Sequence, residues 1–232
     1  MTQKIHKLQG RGLMNVDEIE NVEQAVMSAV IQAITDYLPH IKTIFKEETD
    51  LPQDIAEDVT REALETMGVS SISERLYGKV DYKKAMYAFL PKPQPIALML
   101  DAKAEKPNGN RTATIQMSQT SMRVKQVRAD EIIDEPGKLP TRIIRNGREL
   151  LVVTIIAKYV YEGNERESEN LKEIIVACIP SGDLQEKYNP DPENSFWRAG
   201  RNAPSLGEDF RVRIHYGDLQ DKAAWRVCKI IA

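Results

Sequence analysis

Cysteine is scarce, at two residues in 232, which rules out a disulfide framework. Cys178 and Cys228 both stand in apolar surroundings, "IIVACIP" and "WRVCKII". The expected state is therefore two buried thiols, with a disulfide or a zinc site as the alternative. Long apolar runs are also missing: none approaches the roughly 18 residues of a bilayer span, and "MTQKIHKLQGRG" lacks the apolar core of a signal peptide. These absences predict a cytoplasmic chain with no membrane partner. No charge dominates either, since the formal net charge is −3, which argues against a simple nucleic-acid coat. There is no internal repeat, low-complexity tract or linker. Hydrophobic residues at 41% and charged residues at 29% are globular values, so one domain spanning residues 1–232 is the economical expectation.

The charge that is present is unevenly spread. Residues 15–66 hold thirteen acids against Lys42, Lys46 and Arg61, a balance of −10. Residues 101–128 hold six bases against Asp101 and Glu105, a balance of +4. One face thus avoids polyanions while another attracts them, or both are simply solvated mixed surfaces.

The pattern is helical over about residues 15–68. In "NVDEIENVEQAVMSAVIQAITDYL", Val22, Val26, Ala29 and Ala33 recur at helical steps. Pro39 is expected to end or kink this helix. A second helix starts near Asp50 as a cap, with Pro52 in its first turn, and stops at Gly68. From about residue 75 to 232 the pattern turns to strands: Val80, Tyr82 and residues 86–90, then "IALML", then "TRIIRNGRELLVVTIIAKYVYEG" with a hairpin at Asn146-Gly147, then "KEIIVACIP". Ser181 caps a short helix. The segment "NGNRTATIQMSQTSMRVKQV" reads as either a short helix or a polar loop. "NPDPENSFWRAGRNAPSLGED" reads as a long irregular loop, with Phe196 and Trp197 anchoring it to the core. It feeds "FRVRIHYGDL", an alternating strand with Arg211, Arg213 and His215 on one face.

The buried run "IALML" ends on Asp101-Ala102-Lys103. Strand alternation puts Asp101 and Lys103 on the same side, about 7 Å apart. Asp81, at the end of a shorter apolar run, supplies a second carboxylate, and two acids on neighbouring strands suit a hard cation such as Mg²⁺. Lys103 would then orient a water and stabilise charge on phosphorus, which is nuclease geometry. The plainer reading is a surface ion pair at a strand end.

"VDYKKA", "LMLDAKAEK", "EKYNPDPENSFWRAGRNAP" and "FRVRIHYGDL" together resemble the SfiI-type restriction endonucleases within the PD-(D/E)XK nuclease superfamily, over most of the chain. The resemblance implies an α/β fold with a restriction-endonuclease-like mixed central sheet flanked by helices and an N-terminal helical segment. It further implies Mg²⁺-dependent cleavage of double-stranded DNA, leaving 5′-phosphate and 3′-hydroxyl ends. The proline usual before the first acid is replaced by Val80, and the second acid is Asp101 where glutamate is commoner. Carried over, Asp81, Asp101 and Lys103 are the catalytic residues, with Asp81, Asp101 and the Ala102 carbonyl holding the metal. Arg211 and Arg213 read G·C pairs, while Lys106, Arg111 and Arg201 contact phosphates. Asn189 and Asn202 join the readout or hold turns. A symmetric site implies a homodimer or homotetramer. The alternatives are a repair or junction-cleaving nuclease of the same superfamily, or a DNA-binding module without catalysis.

Overall fold

The computed structural model describes residues 14–68, 70–71, 86–89, 95–107, 111–145, 147–163, 170–200 and 211–232. Its elements, in chain order, are helices α1 (Val16–Glu47) and α2 (Pro52–Thr66), then strands β1 (Ser70–Ser71), β2 (Met86–Phe89), β3 (Ile96–Glu105), β4 (Thr112–Gln116), β5 (Val124–Arg128), β6 (Glu131–Glu135), β7 (Arg142–Arg145), β8 (Arg148–Glu162) and β9 (Asn170–Ile179). They are followed by α3 (Gln185–Tyr188), β10 (Trp197–Ala199), β11 (Arg211–His215), α4 (Tyr216–Lys222) and β12 (Val227–Ile231).

Helix α1 starts where Asn15 and Glu18 exchange side-chain and backbone hydrogen bonds of 2.9 and 2.8 Å, a reciprocal cap. It runs through Pro39 to Glu47 without ending there. The residues beyond the proline are held by tertiary packing: Ile41 and Phe45 are fully buried, and the Phe45 ring stacks on Tyr159 at 5.5 Å. Burial of two such side chains offsets the roughly 3 kcal/mol that proline costs a helix interior. The cap of α2 is Leu51, not Asp50, and it makes no side-chain hydrogen bond; Pro52 occupies the first turn as expected.

The main sheet has the order β1-β2-β3-β8-β9-β12, with β7 also pairing β8. β3 and β8 run parallel at its centre, while β2–β3, β8–β9 and β9–β12 are antiparallel. The β7–β8 hairpin closes at Arg145 and Arg148, and Gly147 supplies the left-handed conformation there, with φ 71°. Segment 108–127, expected to be a helix or loop, carries β4 and most of β5 instead. β4 alternates polar and buried residues, and its apolar members Ala113 and Ile115 are fully covered by packing. The expected loop after Asn189 also contains β10, whose Trp197 pairs Ile214 of β11 and is buried, as is Phe196. Strands β10, β11 and β4 form a separate three-stranded sheet, and β5 and β6 form a hairpin. Both thiols are free, but only Cys178 is buried; Cys228 lies on β12 and is partly exposed.

Opposite faces of β3 meet different surroundings. Ile96, Leu98, Leu100 and Ala102 join the large core that also contains the buried faces of α1 and α2. Ala97 and Met99 instead pack with Leu139, Leu150 and Val152 in a small second cluster. The charged residues continue that second face, so the core beneath them is thin at the point where polarity begins.

Candidate active site

Within β3 burial falls away abruptly: Ile96 to Leu100 are all buried, then Asp101, Lys103, Ala104 and Glu105 are partly exposed, with Ala102 buried between them. Among the described residues the β2 ladder reaches as far as Met99, where Met86 is the partner. Beyond it, Gln53 in the first turn of α2 takes over the edge. Its Nε2 donates to the Ala102 carbonyl at 2.8 Å, and its Oε1 accepts from the Ala104 N–H at 3.0 Å. One amide side chain thus satisfies the backbone groups that a further strand would have paired, and its Nε2 also donates to Glu57 at 2.8 Å.

Asp101, Lys103 and Glu105 project from one face of β3. Lys103 Nζ lies 2.6 Å from Asp101 Oδ2, with the side chains 20% and 15% exposed. That Asp101 oxygen is itself closed to solvent, and among the described residues the Lys103 ammonium is its charged partner. Glu105 forms an ion pair with Lys158 of β8, the register partner of Lys103. Lys158 is fully buried and also donates to the Thr112 carbonyl at 2.7 Å. Burial pushes the Lys158 ammonium down in pKa, Glu105 pulls it back up, and Lys103 and Arg213 nearby lower it further. The Tyr216 hydroxyl, buried and without a hydrogen-bond partner among the described residues, is raised well above the phenol range by burial, with Glu105 and Asp101 adding to the rise.

The three-stranded sheet presents its polar face separately. Arg211 lies opposite Gln116, Arg213 opposite Thr114 and His215 opposite Thr112, while Arg198 of β10 pairs Arg213 on the other side. Val212 and Ile214 are buried beneath them. Arg198 is engaged with Asp218 and with the carbonyls of Ser195 and Trp197. Gly200 follows β10 so closely that a Cβ there would clash with the Arg211 backbone, so the "AG" of the sequence seats β10 against the arginine strand. Lys106 and Arg111 are exposed, and Arg111 lines a cavity of about 460 Å³ with His215 and Lys229. Asn189 is fully buried and holds a turn, bonding Lys125, Asp191 and Ser195.

The structure therefore brings Asp101, Ala102 and Lys103 together at one strand end. Asp81, Arg201 and Asn202 lie outside the described residues, as do Val80 and Tyr82. Among the described residues no cluster of three or more acids, histidines or cysteines is placed to hold a metal ion.

Comparison with known proteins gives this arrangement a context. Residues 37–230 match the family model described as Type II restriction enzyme SfiI. The type II restriction enzyme SfiI of Streptomyces fimbriatus is 32% identical over 234 residues, covering 92% of this chain and 84% of that protein. The chain belongs to the SfiI family of type II restriction enzymes. As an SfiI-family enzyme it is a site-specific deoxyribonuclease. The crystal structure of tetrameric SfiI bound to cognate DNA matches with a TM-score of 0.78 at 28% identity, over 94% of this chain and 86% of that one. The restriction endonuclease BglI bound to its DNA recognition sequence gives 0.72 at 16% identity, over 91% and 90%, a likeness of fold. The restriction-endonuclease-like α/β architecture expected from the sequence is thus the one observed.

Four residues of this SfiI-family site were not read from the sequence: Gln53, Glu105, Arg198 and Lys158. Lys158 left a signal, as the lone cation within "LLVVTIIAKYVY". The other three are polar residues in polar segments, and only tertiary contacts single them out.

Proposed function

We propose that this enzyme hydrolyses double-stranded DNA with Mg²⁺ at an interrupted, G·C-containing palindrome, leaving 5′-phosphate and 3′-hydroxyl ends. The observation that carries the reading is the Asp101–Lys103 pair, partly exposed on one face of β3 where its buried run ends. Asp101, the Ala102 carbonyl and Asp81 would hold the cation. Oxygen donors of this kind suit Mg²⁺, and Gln53 fixes the direction of the Ala102 carbonyl. When bound, the cation supplies Lewis-acid polarisation of the phosphoryl oxygen and acidifies water.

The protein's own groups do the rest. The Lys103 ammonium orients the attacking water and offsets negative charge growing on the phosphoryl oxygens. The water oxygen forms a bond to phosphorus as the bond to the 3′ oxygen breaks, and the departing oxygen takes up a proton. Arg211 and Arg213, side by side on one strand face, can each present a planar fork to guanine O6 and N7 in the major groove. Lys106, Arg111 and Arg201 would contact phosphates, setting register without reading sequence.

A two-fold site calls for a symmetric assembly, so we read the active form as a homodimer or homotetramer, in keeping with the tetramer formed by SfiI. The shared core beneath α1, α2, the central strands and the three-stranded sheet supports a single domain over residues 1–232. No helix among the described residues is long and apolar enough to cross a membrane.

The test is digestion of a long, sequenced DNA with Mg²⁺ or with EDTA, followed by sequencing of the fragment ends. Discrete Mg²⁺-dependent fragments sharing a symmetric end sequence are expected. Uncut DNA, in a sample shown to bind duplex, would contradict the reading.

A further inference from the structure

Strands β3 and β4 belong to different sheets, one carrying Asp101 and Lys103, the other pairing with the strand of Arg211 and Arg213. Lys158 joins them. Its buried ammonium reaches the Glu105 carboxylate on β3 and the Thr112 carbonyl on β4, and Thr112 is in turn the register partner of His215 on β11. A lysine sealed from water is costly unless its charge and its donors are all met. Two of its acceptors, the Glu105 carboxylate and the Thr112 carbonyl, come from opposite sides of the gap, so these two bonds hold together only while the two sheets keep their present spacing. As the register partner of Lys103 in the parallel β3–β8 pair, it stands directly beside the proposed cutting strand.

We infer that Lys158 is a positioning residue that couples the base-reading sheet to the cleavage strand, so that a mismatch felt at Arg211 or Arg213 is expressed as a displaced Asp101 and Lys103. The inference rests on the proposed DNA cleavage and adds to it the route by which recognition controls rate. The role is one of geometry, because the Lys158 side chain is fully buried.

The test uses the full-length enzyme and two variants. Lys158→Met keeps the volume and removes the charge. Glu105→Gln weakens the same link from its 38% exposed end while leaving Lys158 an amide oxygen to donate to. Preferred sites are first mapped from wild-type fragment ends. Single-turnover cleavage is then measured on a preferred site and on the same site with one base pair changed. DNA binding without Mg²⁺ and thermal unfolding are followed in parallel.

Lys158→Met is expected to slow cleavage of the preferred site by about tenfold to a hundredfold. Its binding should stay within about threefold, and the ratio of preferred to altered-site rates should fall. Glu105→Gln should shift both quantities the same way, and the double variant should be no worse than the worse single, as for two residues acting through one contact. Wild-type rate and ratio in the folded variants, or fully additive effects, would overturn the coupling while leaving the cleavage reading intact. A wild-type enzyme that cuts no DNA would overturn both.

Discussion

Two networks of charge are buried in this molecule, and they are built for different purposes. At one, Glu23 and Arg226 are both fully inaccessible. Arg226 Nη2 lies 2.7 Å from Glu23 Oε2, and the other Glu23 oxygen accepts the Ser181 N–H at 2.7 Å. The guanidinium lies between the rings of Tyr188 and Trp225, at 4.1 and 4.3 Å, and Glu20 ties in Lys187 and Tyr188. This cluster clamps α1 to the end of the sheet, and the Glu23–Arg226 pair at its centre is closed to solvent. At the other, Lys158 is equally buried, but its partner Glu105 and the pair Asp101 and Lys103 open outward. A network in which both carboxylate oxygens are met and capped by aromatic faces can only stabilise. One whose Lys103 and Glu105 side chains stay 20% and 38% exposed is placed to meet a ligand.

The sharpest way to break that comparison is Asp101→Asn, which keeps the shape and removes the anion. Cleavage should fall by at least about a thousandfold, with the thermal midpoint nearly unchanged. A large loss of stability would move this cluster into the structural class. Arg226→Met should do the reverse. Stripping the partner from buried Glu23 should cost about 3–5 kcal/mol of stability, read from denaturant unfolding, while the folded fraction still cuts.

Smaller effects sharpen the contrast on the reading side. Arg213→Ala should cost about 1–3 kcal/mol of discrimination at one base pair, seen as relaxed fragment ends, with little change in stability. Arg211→Ala should act at a different position of the site. The smallest test concerns the thiols. Burial pushes the Cys178 thiol far up in pKa, with Glu23 adding to the rise. A thiol reagent near neutral pH should therefore modify Cys228 in the native protein and spare Cys178 until it unfolds, as mass spectrometry of labelled peptides would report.

Much of strand β3 was legible because its physics is local. An unbroken apolar run followed by Asp101-Ala102-Lys103 needs only strand alternation to put both charges on one face, and Gly147 needs only its permissive φ to close the β7–β8 hairpin. The alternation of Arg211, Val212, Arg213 and Ile214 was legible for the same reason. β4 escaped because Thr112, Thr114 and Gln116 make its outer face polar, and its identity depends on pairing with β11, far along the chain. The β5–β6 hairpin escaped because its turn uses Ala129 and Asp130, at φ 49° and 64°, in place of a glycine. Helix α1 survived its proline because Ile41 and Phe45 are anchored by residues distant in sequence. Gln53, forty-nine residues before the carbonyl it holds, could be found only in three dimensions.

The account rests on Lys103 belonging to a reactive centre and not to a surface ion pair. Single-turnover cleavage of a mapped site by Lys103→Ala, with the enzyme in excess and Mg²⁺ present, tests this most directly when read beside its DNA binding and thermal midpoint. The account predicts cleavage reduced by at least about a hundredfold, with binding and stability close to those of the wild type. A Lys103→Ala enzyme that cuts at the wild-type rate would contradict it.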